Sequence, residues 1–136
     1  MDGQGDFAER LTGWLRSITS PFLQEDDFIF LEIGVVELVN NIIEHAFAHA
    51  SGSITVTCTP NRSYVTLDFS DAGAAMPTGL QDIYENLTDE VDLEATSGRG
   101  LGLIRKCFEQ VIFHRADGLN KVSAVYRKMQ DKIEEF

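Results

Sequence analysis

The chain has 136 residues, of which 43% are hydrophobic, and its formal net charge at pH 7 is −11. This length is enough for one domain with a hydrophobic core, and the hydrophobic fraction excludes an intrinsically disordered protein. Because so negative a surface repels nucleic acid and anionic lipid, we expect protein partners or ligands that carry a metal.

The sequence predicts a cytoplasmic protein that does not enter a membrane. No apolar run approaches the length of a membrane span, and the N-terminus lacks the charged and then apolar pattern of a signal peptide. The two cysteines, Cys58 and Cys107, have no metal-ligand spacing and are interpreted as core thiols. Unpaired thiols are typical of a reducing compartment.

The first half of the chain predicts two helices. Apolar residues at helical spacing indicate an amphipathic helix over residues 6–19, which ends before Pro21 because proline disfavours helical backbone in the residue that precedes it. Asp26 or Asp27 can cap a second helix, which we extend to about Ala50.

The second predicted helix carries a polar row opposite its apolar face. Glu37, Asn41 and His45 are four residues apart, which stacks them in one line, with Asn40 and Glu44 beside it. A solvated face is the common explanation of such a row, but two adjacent asparagines each cost about 0.5 kcal/mol in a helix interior. A carboxylate, an amide oxygen and an imidazole suit a hard cation with its phosphate ligands, and the carboxylate can also accept a proton.

Alternating patterns over residues 54–59 and 65–69 predict a β-hairpin, and a second pair of strands is predicted around a turn at 117–120. The first hairpin runs out into Asp71-Ala-Gly73. An aspartate there can accept a hydrogen bond from an exocyclic amine, and a glycine permits close approach of a ligand. Alone, the Asp-x-Gly pattern is only a turn signal.

An acidic, weakly patterned stretch over residues 78–97 is interpreted as a mobile lid that contains one short helix. Behind it, Gly98, Gly100 and Gly102 lead directly into a helix. Such glycines let backbone amides turn toward a ligand, and the start of a helix adds a partial positive charge, so the segment predicts an anion site. A flexible hinge is the alternative interpretation.

In this order and spacing, the polar row, the Asp71-x-Gly73 segment and the glycine run resemble the N, G1 and G2 boxes of the histidine-kinase-like (GHKL) ATPases. Within that superfamily, Glu-x-x-x-Asn-x-x-x-His-Ala and Gly-Arg-Gly-Leu-Gly-Leu-Ile are similar to the motifs of anti-sigma-factor serine kinases of the RsbW and SpoIIAB type. The resemblance covers about residues 26–128. It implies one domain over residues 1–136 with an α+β two-layer fold, in which helices cover one face of a mixed, mainly antiparallel sheet.

The resemblance also implies a role for each motif residue. Glu37 would be the general base toward an acceptor hydroxyl, and Asn41 would bind Mg²⁺ and ATP. His45 would contact ATP or make a structural hydrogen bond, while Asp71 would recognise the adenine amino group beside Gly73. The phosphates would be held by Gly98, Arg99, Gly100, Leu101 and Gly102.

The implied function is that of an Mg-ATP-dependent protein serine/threonine kinase that is also an anti-sigma factor. Its partners would be a sigma factor and a small STAS-type antagonist protein, which it would phosphorylate, and a homodimer is expected. The alternative is an ATP-binding partner-switch module without phosphotransfer. Both functions need Asn41 and Asp71, whereas only the kinase needs Glu37. A third hypothesis is a plain interaction domain that binds no nucleotide.

Overall fold

The computed structural model describes residues 4–47, 52–77, 79–86 and 96–129, and of residues 4–8 and 96–100 it describes the backbone alone. No helix within these ranges is long and apolar enough to cross a membrane. The helices are α1 (Gln4–Thr19), α2 (Glu25–Ala46), α3 (Leu80–Glu85) and α4 (Thr96–Cys107), and the strands are β1 (Ile54–Pro60), β2 (Tyr64–Asp71), β3 (Gln110–Ala116) and β4 (Leu119–Arg127).

The four strands form one sheet in the order β1-β2-β4-β3, and each described pair of strands is antiparallel. The β3–β4 turn consists of Asp117 and Gly118, whose φ angles are 56° and 77°. A two-residue turn of this kind requires left-handed backbone at both positions, which Asp-Gly tolerates well. The turn is therefore shorter than the predicted 117–120, and Leu119 and Asn120 already pair within β4.

The helices cover one face of the sheet, which gives the expected α+β two-layer fold. Successive side chains of a strand point to opposite faces, so each central strand buries every second residue. These inward residues pack with Leu31, Val35 and Leu38 of α2 in one core. The buried hydrophobic residues of the two central strands are Val65, Leu67, Phe69, Val122, Ala124 and Tyr126.

Asp27 fixes the start of α2 to the end of the sheet. This side chain is only 4% exposed, and its Oδ2 accepts a hydrogen bond from the backbone N–H of Gln24 at 3.0 Å. Its Oδ1 accepts from the Tyr126 hydroxyl at 2.7 Å and from the Met129 N–H at 3.0 Å. Gln24 occupies the N-cap position, so Asp27, one of the two predicted capping residues, acts from the first turn of the helix.

Helices α2 and α4 lie side by side, and Gly34 permits their close contact. A Cβ atom at Gly34 would lie 2.5 Å from Cε2 of the Phe108 ring and 2.9 Å from Cβ of Cys107. Leu101 and Ile104 of α4 are buried. This packing brings the glycine-rich helix next to the helix that carries the polar row.

Helix α3 is attached to the edge strand β3 through Gln81. The Gln81 Oε1 accepts a hydrogen bond from the Phe113 N–H at 2.7 Å, and its Nε2 donates to the Val111 carbonyl at 3.1 Å. The Tyr84 ring packs edge-on against the Phe113 ring, with 5.5 Å between centroids and 71° between planes. The short helix predicted within the lid thus exists and lies against the sheet.

Candidate functional site

A cavity of about 200 Å³ lies between α2, α3, α4 and the inner face of the sheet. Its polar lining consists of Asn41, His45, Asp71 and Asn120. Most of the wall is apolar, so the cavity suits a largely apolar ligand with a few polar groups. The apolar wall includes Leu38, Ile42, Met76, Leu80, Leu101 and Phe113.

Asp71 is the buried acid of this cavity, at the C-terminal end of β2 and 4% exposed. Its Oδ1 accepts hydrogen bonds from the Gly73 N–H and from Nδ2 of Asn120, each at 2.9 Å. From the residues that the structure describes, no hydrogen bond reaches Oδ2. One carboxylate oxygen is therefore used by the fold, and the other is left for a donor in the cavity.

Asn120, which lies outside the predicted motifs, holds the Asp71 carboxylate in place. It pairs with Asp71 across β2 and β4 and is 2% exposed. Besides its bond to Asp71, its Nδ2 donates to the Ala74 carbonyl at 2.8 Å. Its Oδ1 accepts from the Met76 N–H at 3.2 Å and from Nη1 of Arg115 at 2.9 Å. All four hydrogen-bonding positions of the amide are thus occupied.

The alternation of side chains along β4 makes Asn120 an inward residue. It shares its face with Val122, Ala124 and Tyr126, because positions separated by an even number point the same way. The turn predicted over 117–120 concealed this position. A buried polar residue in such a place needs hydrogen-bond partners, which the cavity loop supplies.

Gly73 packs against α2. A Cβ atom there would lie 2.5 Å from the Ala46 carbonyl oxygen, and the neighbouring Ala74 N–H donates to that same oxygen at 2.8 Å. The glycine thus lets the loop after β2 close the end of the cavity. Approach of a ligand ring to Gly73 stays a prediction.

The polar row of α2 runs from the cavity outward. Asn41 is half-buried and His45 is exposed, and both line the cavity together with Asp71. Glu37 is half-buried, outside the cavity lining, one turn or about 6 Å along the helix axis from Asn41. The structure therefore brings the amide and the imidazole to the cavity and places the carboxylate beyond it.

The glycine-rich segment lies within α4, which begins two residues before Gly98. Gly98, Gly100 and Gly102 therefore occupy the first turns of the helix, and the predicted helix start behind them is displaced. Each glycine costs about 1 kcal/mol relative to alanine in a helix, so these turns are intrinsically weak. Leu101 is 7% exposed and lines the cavity, while the Arg99 side chain lies outside the described structure.

Only parts of the predicted lid at 78–97 can be compared with the prediction. Residues 79–86 contain α3, and Leu80 and Ile83 of this helix line the cavity. The start of α4 covers 96–97, whereas Thr78 and residues 87–95 lie outside the described residues.

The donor atoms near the cavity suit a magnesium ion that arrives with a ligand. Across the described ranges, no group of three or more His, Cys, Asp or Glu side chains could hold a metal alone. Mg²⁺ bound to a phosphate ligand needs only one or two oxygens from the protein. The Asn41 amide, which lines the cavity, supplies a hard oxygen donor of this type.

Comparison with known structures gives the same fold. The catalytic domain of the histidine kinase ThkA, in a nucleotide-free form, has a TM-score of 0.60 at 19% identity and covers 97% of this chain and 99% of its own. The Erythrobacter litoralis EL346 blue-light activated histidine kinase has a TM-score of 0.59 at 16% identity, covering 82% of this chain and 33% of its own. The Acinetobacter baumannii histidine kinase AdeS has a TM-score of 0.50 at 11% identity, and the match covers 75% of this chain and 47% of that protein.

The chain thus spans about a third of the length of the Erythrobacter protein and about half of the length of the Acinetobacter protein. Because all three sequence identities are below 20%, the similarity is one of fold. A search of curated proteins found no match. The family model described as "Histidine kinase-like ATPase domain" matches residues 7–126, a range that contains the polar row, Asp71 and the glycine-rich helix. The chain belongs to this histidine kinase-like ATPase family.

Proposed function

We propose that the protein is an Mg-ATP-dependent protein serine/threonine kinase that also acts as an anti-sigma factor. The observation that carries the ATP-binding part is the buried Asp71, which offers one oxygen to a largely apolar cavity that Asn41 and His45 also line. Family membership supplies ATP as the ligand. The kinase and anti-sigma roles rest on the resemblance of the motifs.

In this proposal the adenine ring occupies the cavity, with its exocyclic amine donating to Oδ2 of Asp71. The apolar wall contacts the faces of the ring and excludes water from them. A guanine ring has a carbonyl at the corresponding position, which would place two acceptors against each other. The cavity should therefore favour ATP over GTP.

The phosphates extend from the cavity along the polar row of α2. Asn41 would hold the Mg²⁺ ion, which offsets much of the triphosphate charge that a chain of net charge −11 repels. The backbone amides at the start of α4 supply anion binding around Gly98, Gly100 and Gly102, to which Arg99 adds positive charge.

Glu37 acts as the general base. It takes the proton from a serine or threonine hydroxyl, whose oxygen forms a bond to the γ-phosphorus while the bond from that phosphorus to the β,γ-bridging oxygen breaks and ADP leaves. The position of Glu37 beyond the cavity supports this role, because the γ-phosphate is the part of ATP farthest from the adenine ring, which occupies the cavity in this proposal.

The proposed partners are proteins: a sigma factor, a STAS-type antagonist that receives the phosphoryl group, and a second copy of the chain. The acidic charge supports protein partners over nucleic acid. Cys58 and Cys107 are free thiols. Free thiols are typical of a reducing compartment, which supports a cytoplasmic location. If phosphotransfer is absent, the same ATP site serves the alternative partner-switch module.

Calorimetric titration of Mg-ATP tests the nucleotide site. Wild type should bind ATP in the presence of Mg²⁺ and lose most of this affinity in EDTA. Asn41→Ala should have low affinity for ATP both with Mg²⁺ and with EDTA. Asn40→Ala is the matched control, because Asn40 is a half-buried neighbour outside the cavity lining. Absence of binding by wild type would reject the proposed function.

The acceptor is tested by incubation with a STAS-type antagonist and labelled ATP. Phosphoserine and phosphothreonine survive acid, whereas phosphohistidine does not, so acid-stable label on the antagonist is the expected result. Acid-labile label alone would reject serine/threonine specificity. Binding of ATP without any label on the antagonist would favour the partner-switch module.

A further inference from the structure

The carboxylate that faces the cavity is one end of a chain of three side chains on adjacent strands. Asp71 of β2 pairs in register with Asn120 of β4, and Asn120 pairs with Arg115 of β3. Nη1 of Arg115 donates to Oδ1 of Asn120 at 2.9 Å, and Nδ2 of Asn120 donates to Oδ1 of Asp71 at 2.9 Å. The hydrogen bonds therefore run in one direction, from the cation to the carboxylate.

This direction is fixed by the chemistry of the two ends. A guanidinium group can only donate hydrogen bonds, so the oxygen of the Asn120 amide must face Arg115, and its NH₂ group must face Asp71. The cavity loop reinforces this orientation, because the Met76 N–H donates to the amide oxygen and the Ala74 carbonyl accepts from the NH₂ group. An amide turned by 180° would lose all four hydrogen bonds.

Arg115 also holds the loop beside Asp71. Its Nη1 donates to the Gly73 carbonyl at 3.1 Å, and the Gly73 N–H donates to Oδ1 of Asp71. With two donors on Oδ1, the carboxylate oxygen left for the cavity that Asp71 lines is Oδ2.

We propose that Arg115 and Asn120 are positioning residues that fix Asp71 as a hydrogen-bond acceptor and thereby select purines with an amino group at C6. The inference rests on the proposed binding of ATP. A purine with a carbonyl at C6 would place that carbonyl oxygen against Oδ2 of Asp71, so that two hydrogen-bond acceptors face each other. Both residues act through Asp71 and determine which base is accepted.

The test compares Mg-ATP with Mg-ITP, whose base has a carbonyl at C6, by calorimetric titration. Wild type should bind ATP about tenfold more tightly than ITP, because a mismatched buried acceptor weakens binding by a factor of this order. Asn120→Asp replaces the donor to Asp71 with an acceptor, and repulsion between the two carboxylates then favours a protonated Asp71 whose proton lies on Oδ2. A protonated Asp71 can donate to the carbonyl of ITP, so the ratio of affinities should fall about tenfold or more.

Arg115→Met should lower the same ratio less, because Met76 and Ala74 still orient the Asn120 amide. Arg115 is exposed, so this variant can be measured even if the buried Asn120→Asp substitution prevents folding. Arg62→Met is the control of equal charge, since Arg62 is exposed in the β1–β2 turn at the far end of the strands. It should keep the wild-type ratio.

A purely structural role would weaken ATP and ITP binding by the same factor. An unchanged ratio in both variants, or in Arg115→Met if the other variant does not fold, would therefore overturn the inference and leave ATP binding intact. Equal affinity of wild type for the two nucleotides would also overturn it, since Asp71 would then not read the base. Absence of binding to either nucleotide would reject the proposed function and the inference together.

Discussion

One carboxylate oxygen determines which hydrogen bond the cavity offers. In an Asp71→Asn variant, the amide oxygen must face the Gly73 N–H and Asn120, so its NH₂ group faces the cavity. A donor then opposes the exocyclic amine, and we expect ATP affinity to fall by about tenfold to a hundredfold.

Calorimetric titration measures this loss. Asp68→Asn makes the same change of charge on the exposed outer face of β2 and should bind ATP like wild type. Equal affinities of the two variants would show that Asp71 does not contact the base.

The proposed general base Glu37 allows catalysis to be tested separately from ATP binding. Glu37→Gln keeps the size of the side chain and removes the proton acceptor, so we expect phosphotransfer to the antagonist to fall by about 10²- to 10⁴-fold. The dissociation constant for Mg-ATP should stay within about twofold, since Glu37 lies outside the cavity lining. Glu44→Gln, on the exposed side of the same helix, is the control; rapid transfer by the Glu37 variant would exclude the assigned role.

Helix α2 carries two of the cavity's polar groups, and the sheet carries the other two. Their relative position depends on contacts such as the one between Asp27 and Tyr126, which joins the start of α2 to the last strand. Burial and this hydrogen bond raise the pKa of Tyr126 above its usual range, so its hydroxyl remains a donor at neutral pH.

Tyr126→Phe should destabilise the protein by about 1–3 kcal/mol, because it leaves Oδ1 of the buried Asp27 with one donor fewer. Tyr64→Phe is a suitable control, since the Tyr64 hydroxyl forms no hydrogen bond within the described part of the chain. Urea unfolding followed by circular dichroism measures both variants. Equal urea midpoints for the two variants would mean that the hydrogen bond between Tyr126 and Asp27 contributes little to the stability of the fold.

The elements with strong local periodicity could be predicted from sequence. Helix α2 and the first hairpin follow from apolar spacing, and the polar row follows from steps of four residues. The chain of Arg115, Asn120 and Asp71 could not be predicted, because it depends on which strands become neighbours. The prediction misplaced the start of α4 because glycines indicate loops locally, whereas the helix extends through them and its end packs against α2.

For the molecule as a whole, ligand binding and folding are linked. A ligand that binds only the folded state stabilises it by about 2.7 kcal/mol at a hundred times its dissociation constant. Mg-ATP at that concentration should therefore raise the thermal midpoint of wild type, and EDTA should reduce the shift. A plain interaction domain predicts no shift, and that result would favour it over both nucleotide-dependent functions.

The contact of Gln81 with β3 has a consequence for self-association. An edge strand with unpaired backbone groups is a template for another chain, but here the amide of Gln81 occupies the Phe113 N–H and the Val111 carbonyl, as a fifth strand would. The same helix presents Leu80 and Ile83 to the cavity. We therefore expect a ligand that holds α3 in place to keep this edge closed and to protect the protein against aggregation through strand pairing.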